Sequence, residues 1–369
     1  MATITPPSSQ IQSALLDTTR HIRRKVEIYE LDGVTPYYLN PGFAGFSISV
    51  DGTRAERRSL TLQIRNEGGL TQEVGELWYD KIIKCYRGFD LVDDTYLPCV
   101  GTFIMDRHRK PRQTNLIELT GRDLSKRLSF NFGEWVEFPV NTPIENVIAD
   151  IAIAGGLEPG LIDLPLSGLN TGNELTYEPS SVRWTAMREL ADSHNYDLFF
   201  TADGKLIMEE YPRLVGDPVQ HVFETGPRGN IGDYSREGTD APIYNKVVVV
   251  GASNEYNDLP AFGVAVNQAG TPTSVDRIGL RPITVSRTEL VYDAECQLLA
   301  DRLLEDYSKE RFDIGATVLT TPWLEANILC QFERQNPDDF DEVRRYVLES
   351  FSISSEGGLM DAALSRLQS

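Results

Sequence analysis

Most of the residues from which chemistry is read in a sequence are scarce here. Four cysteines, Cys85, Cys99, Cys296 and Cys330, occur in 369 residues, and no two have the spacing of a zinc knuckle or a thioredoxin-like pair. Cys330 alternates with apolar neighbours, and so does Cys85 after Ile83, which reads as free buried thiols in a chain made in a reducing cytosol. The four histidines, His21, His108, His194 and His221, stand too far apart for a local metal pair. There is no P-loop and no G-x-S-x-G nucleophile elbow. No window approaches the roughly 18 apolar residues of a membrane-spanning helix. The opening MATITPPSSQ has neither the basic start nor the apolar stretch of a signal peptide. Basic residues are the minority charge, 35 against 55 acidic, for a formal net charge of −20. Phosphate affinity comes mostly from Lys and Arg, so this balance argues against a nucleic-acid binder.

What is present is an ordinary folding composition, 41% hydrophobic and 24% charged. At roughly 100–200 residues per domain the length predicts two or three domains. Residues 1–20 read as a polar N-terminal arm with Ile11, Ala14 and Leu15 on one helical face. From 21 to 130 the period is two: Val26 and Ile28; Phe46, Ile48 and Val50; Leu60, Leu62 and Ile64 after the basic cluster Arg54, Arg57 and Arg58; then Ile83 with Cys85, Phe103 with Met105, and Ile117 with Leu119. Short strands with one apolar face and no good helix between them predict an antiparallel barrel or sandwich.

The pattern changes in 131–212, which reads as a small α+β domain. Thr142-Pro143-Ile144-Glu145 is a capping box that opens a helix with the stripe Ile144, Val147, Ile148, Ile151 and Ala152, stopped at Gly155-Gly156. A second helix carries Trp184, Met187, Leu190, Ala191 and His194. Asp203-Gly204 then marks a hairpin. In 213–369, Val247 to Val250 is a buried strand candidate. The strongest helix spans Asp293 to Arg311, with Asp293 as N-cap and Leu299, Leu303 and Leu304 facing a core. Strands follow at Ala316, Ile328 and Tyr346. The run Lys81 to Arg87 and the run Ala326 to Phe332 echo one another, each followed by an acidic loop and another strand. The expected class is α+β, mainly β: two related antiparallel β-barrel domains flanking a small α+β domain.

Candidate sites are few. Gly226 to Gly232 is G-x-x-G-x-x-G with a proline inside and no helix after it, which reads as a plain loop. Asp338 to Glu342 lacks the spacing of a calcium loop and reads as a hairpin tip. No catalytic, cofactor-binding or metal-ligating residue is expected, and no cofactor. One basic patch, Arg107, His108, Arg109, Lys110 and Arg112, sits between two strand candidates. It reads either as a solvated turn or as a docking surface for an acidic neighbour or another copy of the chain, with Arg107, Arg109, Lys110 and Arg112 as the contact candidates.

Several stretches resemble phage tail hub proteins, most of all minor tail proteins of actinobacterial siphophages. They are Arg54 to Ile64 (RAERRSLTLQI), Tyr79 to Gly88 (YDKIIKCYRG), Gly101 to Asp106 (GTFIMD) and Ile117 to Leu128 (IELTGRDLSKRL). In the second half they are Val247 to Ala252 (VVVVGA), Ile278 to Val285 (IGLRPITV), Thr321 to Ala326 (TPWLEA) and Tyr346 to Met360 (YVLESFSISSEGGLM). One departure is Leu324-Glu325-Ala326-Asn327, where relatives tend to carry a glycine-aspartate turn. The resemblance implies a non-enzymatic baseplate hub at the distal tip of the tail, assembled in the bacterial host cytoplasm. It implies a homotrimer that adapts the sixfold tail-tube hexamer to a threefold central fibre or spike, with the tape measure protein as a further neighbour. DNA would pass through without specific binding, and no membrane anchor is implied. A tail-associated cell-wall hydrolase and a receptor-binding minor tail protein are the competing readings.

Overall fold

The structure is a computed structural model. It describes residues 7–17, 21–39, 42–65, 79, 81–92, 94–109, 115–212, 217–226, 229–239, 243–253, 259–308, 311–334 and 342–367. A short helix α1 (Ser9–Leu15), with Leu15 buried, precedes the strands of the first half. These are β1 (Ile22–Tyr29), β2 (Pro36–Leu39), β3 (Phe43–Asp51), β4 (Arg58–Arg65), β5 (Ile82–Asp90), β6 (Thr95–Tyr96), β7 (Cys99–Arg109) and β8 (Leu116–Arg122). The period-two pattern becomes alternating burial. In β4, Arg58, Leu60, Leu62 and Ile64 point inward while Ser59, Thr61, Gln63 and Arg65 face water.

The chain then forms a unit with its own core from α2 (Ser125–Leu128), β9 (Val136–Phe138), α3 (Ile144–Ala154), β10 (Ile162–Asp163), β11 (Leu175–Tyr177), α4 (Arg183–Ser193), β12 (Tyr196–Phe200) and β13 (Leu206–Glu210). The apolar stripe of α3 is buried, and the helix ends at Gly155, with Gly156 at φ 89°. The capping box does not form. Thr142 donates to the Pro139 carbonyl at 2.6 Å, and Glu145 accepts from Ser167 Oγ at 2.7 Å. The loop at 167–171 lies over the helix start, where the Thr142 N–H donates to Thr171 Oγ1 at 3.0 Å. A donor that the capping box would serve is thus satisfied by tertiary structure.

The remaining elements are β14 (His221–Glu224), β15 (Ile231–Thr239), β16 (Lys246–Val250), β17 (Phe262–Val266), α5 (Val275–Ile278), β18 (Pro282–Ser286), α6 (Asp293–Tyr307), β19 (Arg311–Leu319), β20 (Ile328–Arg334), β21 (Glu342–Ser354) and β22 (Leu359–Leu367). The strongest helix ends at Tyr307, and Arg311 already begins a strand. Asp293 is its first helical residue and not its cap: its carboxylate accepts the Phe262 N–H at 2.9 Å, across the helix–sheet contact.

The protein is mainly β within an α+β class, and its first and last strands share one sheet. The order is β15-β19-β22-β21-β3-β4-β8-β7-β5-β1-β2, with β14, β20 and β6 branching from it. The long strand β21 pairs with β20 through residues 342–348, then with β3 through Ser350↔Asp51 to Ser354↔Ser47. Closure into two separate barrels is not seen among the described residues. Where the second half would close, β14 runs parallel to β20 and meets the start of β15 through one side chain: Asn230 accepts from Glu224 N–H and donates to the Val222 carbonyl, both at 2.8 Å. A single core, including Ile48, Leu62, Phe103 and Leu119 from the first half and Val318, Ile328, Leu348 and Ile353 from the last, lies under both. A third, smaller core holds β16, β17 and α6 together through Val247, Val249, Ala265, Cys296 and Leu299.

Candidate functional site

The turn between β3 and β4 is built by Asp51, whose N–H donates to the Arg57 carbonyl at 2.8 Å and whose carboxylate accepts the Thr53 N–H at 3.0 Å. Trp184 on α4 fixes the turn from the neighbouring unit, its indole N–H donating to the Ala55 carbonyl at 2.8 Å. The turn delivers Arg57 and Arg58, only 3% and 1% exposed, into the interior where three parts of the chain meet.

Arg58 grips Glu325 as a fork, Nη1 to Oε1 at 3.1 Å and Nη2 to Oε2 at 2.5 Å. Its backbone N–H donates to Asp123 Oδ2 at 2.9 Å. Arg57 pairs with Asp197 on β12, stacks 3.5 Å from the centre of the Phe199 ring, and has Nη1 3.6 Å from Glu325. Asn327 closes the set: its Nδ2 donates to Asp197 at 2.7 Å and to the Gly52 carbonyl at 3.4 Å. Asn327 sits at φ 61°. Asparagine tolerates this left-handed conformation, so the turn before β20 forms without a glycine.

Charge is unevenly matched. Two guanidiniums face Asp197, Glu325 and, across the β12–β13 ladder from Asp197, Glu209. Burial, with Asp197 and Glu325 nearby, pushes the Glu209 carboxyl up to about 7 against the pull of Arg57. Burial also raises the Asp123 carboxyl, opposed by hydrogen bonds from Ser125 and from the Arg58 backbone. A small cleft opens on the cluster, lined by Asp197, Phe199, Glu209, Gln220, Ala326 and Asn327. Among the described residues no group of His, Cys, Asp and Glu is placed to hold a metal ion. The cluster is built to fasten: every ion pair in it joins segments far apart in the chain, and the Arg58–Glu325 pair is double-ended and away from water.

Three stretches singled out in the sequence converge here: Arg57 and Arg58 from the first, Asp123 from Gly121-Arg122-Asp123-Leu124, and Glu325 from Thr321 to Ala326. In the second, Gly121 leaves no room for a side chain, since a Cβ would lie 2.9 Å from the Ile104 carbonyl oxygen. Arg122 forks onto Asp106 at 2.6 and 3.1 Å, and Leu124 is fully buried. The basic patch is elsewhere. Arg107 and Arg109 are exposed at the end of β7, paired across the ladder with Thr120 and Glu118. They lie on a strand and not in a loop, because β7 stays paired with β8 beyond the bulge at Met105/Arg107. Lys110 and Arg112 fall outside the described residues. The sequence reading missed the ionic cluster. The signal was present, since Arg58 is in phase with Leu60, Leu62 and Ile64 on the buried side of β4.

No protein-family model matches the sequence, and no curated protein matches it. Among solved structures, the chain is similar to the tail protein from Neisseria meningitidis MC58, with a TM-score of 0.63 at 18% identity over 93% of this chain and 96% of that one. It is similar also to the 43 kDa tail protein of prophage MuSo2 from Shewanella oneidensis, with a TM-score of 0.58 at 14% identity over 92% and 97%. A third is prophage tail protein gp18 from Listeria monocytogenes EGD-e, with a TM-score of 0.56 at 12% identity over 94% and 95%. At these identities the likeness is one of fold, and it runs end to end.

Proposed function

We propose that this chain is a structural, non-enzymatic component of a phage tail, and specifically the hub at its distal tip. The observation that carries the reading is the near-complete mutual coverage with tail proteins, two of them of prophages, over 90% of both chains in each comparison. The ionic junction fits a part that must keep its segments in register under load, because it ties both β halves and the α+β unit to one another. In this reading the chain divides into an arm at 1–20, a first β domain at 21–130, an α+β domain at 131–212 and a second β domain at 213–369. A homotrimer presents two β domains per copy to a sixfold tail tube and a threefold face to a central fibre or spike. Three copies together carry three times −20, and like charge would let DNA pass without sticking. Arg107, Arg109, Lys110 and Arg112 form a contact to an acidic neighbour in the assembly.

The test is electron microscopy of intact virions labelled with an antibody to the protein. Label at one end of the tail, with threefold averages, supports the hub. Label along the tube makes the chain a tube subunit, and unlabelled particles overturn the reading.

A further inference from the structure

The three-stranded sheet β17-β16-β18 has a covered face and a bare one. On the covered face Val247, Val249 and Ala265 pack against Cys296, Leu299 and Ala300 of α6. On the other, the register lines up Val250 with Phe262 and Ser286, Val248 with Val264 and Thr284, and Lys246 with Val266 and Pro282. Phe262 is 51% exposed, Val266 40%, and Val248, Val250 and Val264 are half-buried. A sheet with one face in water alternates apolar with polar, whereas Val247 to Val250 is an unbroken apolar run and β16 pairs in parallel with β18. Unbroken apolar strands in parallel pairs belong to sheets covered on both faces. β16 and β17 thus carry apolar residues on both faces, while β18 alternates, with Thr284 and Ser286 exposed.

The β17 edge is closed to a strand. Gln297 on α6 accepts the Val264 N–H and donates to the Val264 carbonyl, both at 3.0 Å, and Asp293 accepts the Phe262 N–H. At the opposite edge β18 begins with Pro282, which has no N–H to offer. The exposed apolar area lies on the face, with Phe262 and Val266 its most exposed members. Three strands at about 4.8 Å spacing and five residues of about 3.3 Å rise give a platform roughly 10 by 16 Å, the width of one helix and the length of about three turns. One end of the platform is cationic: Lys246 ends the bare face, and Arg281, whose carbonyl accepts the Asn245 N–H at 3.0 Å, and Arg277 on α5 are exposed beside it, with Leu280 57% exposed between them. An acidic group at this end, Asp276, accepts from Gln268 at 3.3 Å.

We propose that the bare face of β16–β18 docks an amphipathic helix of a partner protein, with an apolar stripe over Val248, Val264 and Phe262 and acidic residues at the end that meets Lys246, Arg277 and Arg281. This assignment does not depend on the chain being a tail hub. The test is fluorescence anisotropy with the full chain and a labelled helical peptide about three turns long, carrying a leucine stripe and glutamates at one end. Saturable binding is expected, about tenfold tighter than for the same peptide with lysines in place of the glutamates, and absent when the leucines are scrambled out of register. Val264→Thr, which keeps the shape of the side chain, should weaken it, and Lys246→Glu with Arg281→Glu should reverse the charge preference. No saturable binding to the native chain, equal affinity for both peptides, or binding indifferent to Val264→Thr would each overturn the proposal. So would concentration-dependent dimerisation in light scattering that Val264→Thr abolishes, since the occupant would then be a second copy.

Discussion

Arg58 occupies a position where the alternation of β4 calls for an aliphatic side chain. Its charge is tolerable only because Glu325 answers it with two oxygens. Replacing a buried ion pair by apolar side chains is often neutral, while removing one partner strands the other. Glu325→Ala should therefore cost about 3–5 kcal/mol in a urea titration, and Arg58→Met combined with Glu325→Leu should recover most of it. Acid–base behaviour at two sites should pull in opposite directions. Burial pushes the His221 imidazole, packed edge-on to Phe223 at 4.7 Å, down to about 4. The folded state then binds that proton more weakly than the unfolded chain, so its contribution is complete above an ordinary pKa of about 6.5 and is lost as pH falls through 4. Glu209, raised to about 7, contributes fully below an ordinary value of about 4.3 and loses that contribution as pH rises through 7. Glu209→Gln should flatten the decline in melting temperature between pH 4.5 and 7, and His221→Phe should flatten the loss on the acid side of pH 6.5.

At the scale of elements, two devices hold local geometry against ordinary preferences. Asn327 keeps a left-handed turn before β20 and ties it to Asp197. Asn327→Ala loses both the conformation and the bond, while Asn327→Gly loses only the bond, so alanine should be about 1 kcal/mol worse than glycine by denaturant midpoint. Helix α6 presses its backbone onto Gly263, where a Cβ would collide with Cys296 and Gln297, and its Gln297 side chain stands in for a neighbouring strand. Gln297→Ala should speed hydrogen exchange at the Val264 amide and cost about 1–3 kcal/mol, because a donor and an acceptor of one residue lose their partner together. The same contact explains why Asp293 is not an N-cap: its carboxylate serves the edge of β17.

For the whole molecule, the consequence of β21 joining β3 is that the two β halves share a sheet and a core although β3 ends at Asp51 and β21 begins only at Glu342. Calorimetry should record one transition for both halves, since neither can lose its strands without exposing the apolar side of the other. Two resolved β transitions would show that the junction is weaker than its burial implies. The ionic cluster sits where this joint meets the α+β unit, and Asp197→Ala should loosen that unit specifically, read as faster exchange in α4 and β12 than in β4.

Strand alternation around Leu62, Ile117 and Ile328, the α3 stripe with its Gly155-Gly156 stop, and the Asp203-Gly204 hairpin were written in the sequence, because period and turn chemistry are properties of neighbouring residues. The mainly β class followed from them. What the sequence left open was decided by residues far apart in the chain. Thr142 and Asp293 looked like caps and found other partners once a loop and a sheet edge came close. Arg57 and Arg58 looked like a basic cluster before a strand and became the interior of a joint, because Asp197 and Glu325 approach them only when the three units are packed. The sequence determined which segments are strands and helices and which side of each is apolar. Only the tertiary structure decided which charges are buried together, since a side chain is ranked for burial by partners that local pattern does not contain.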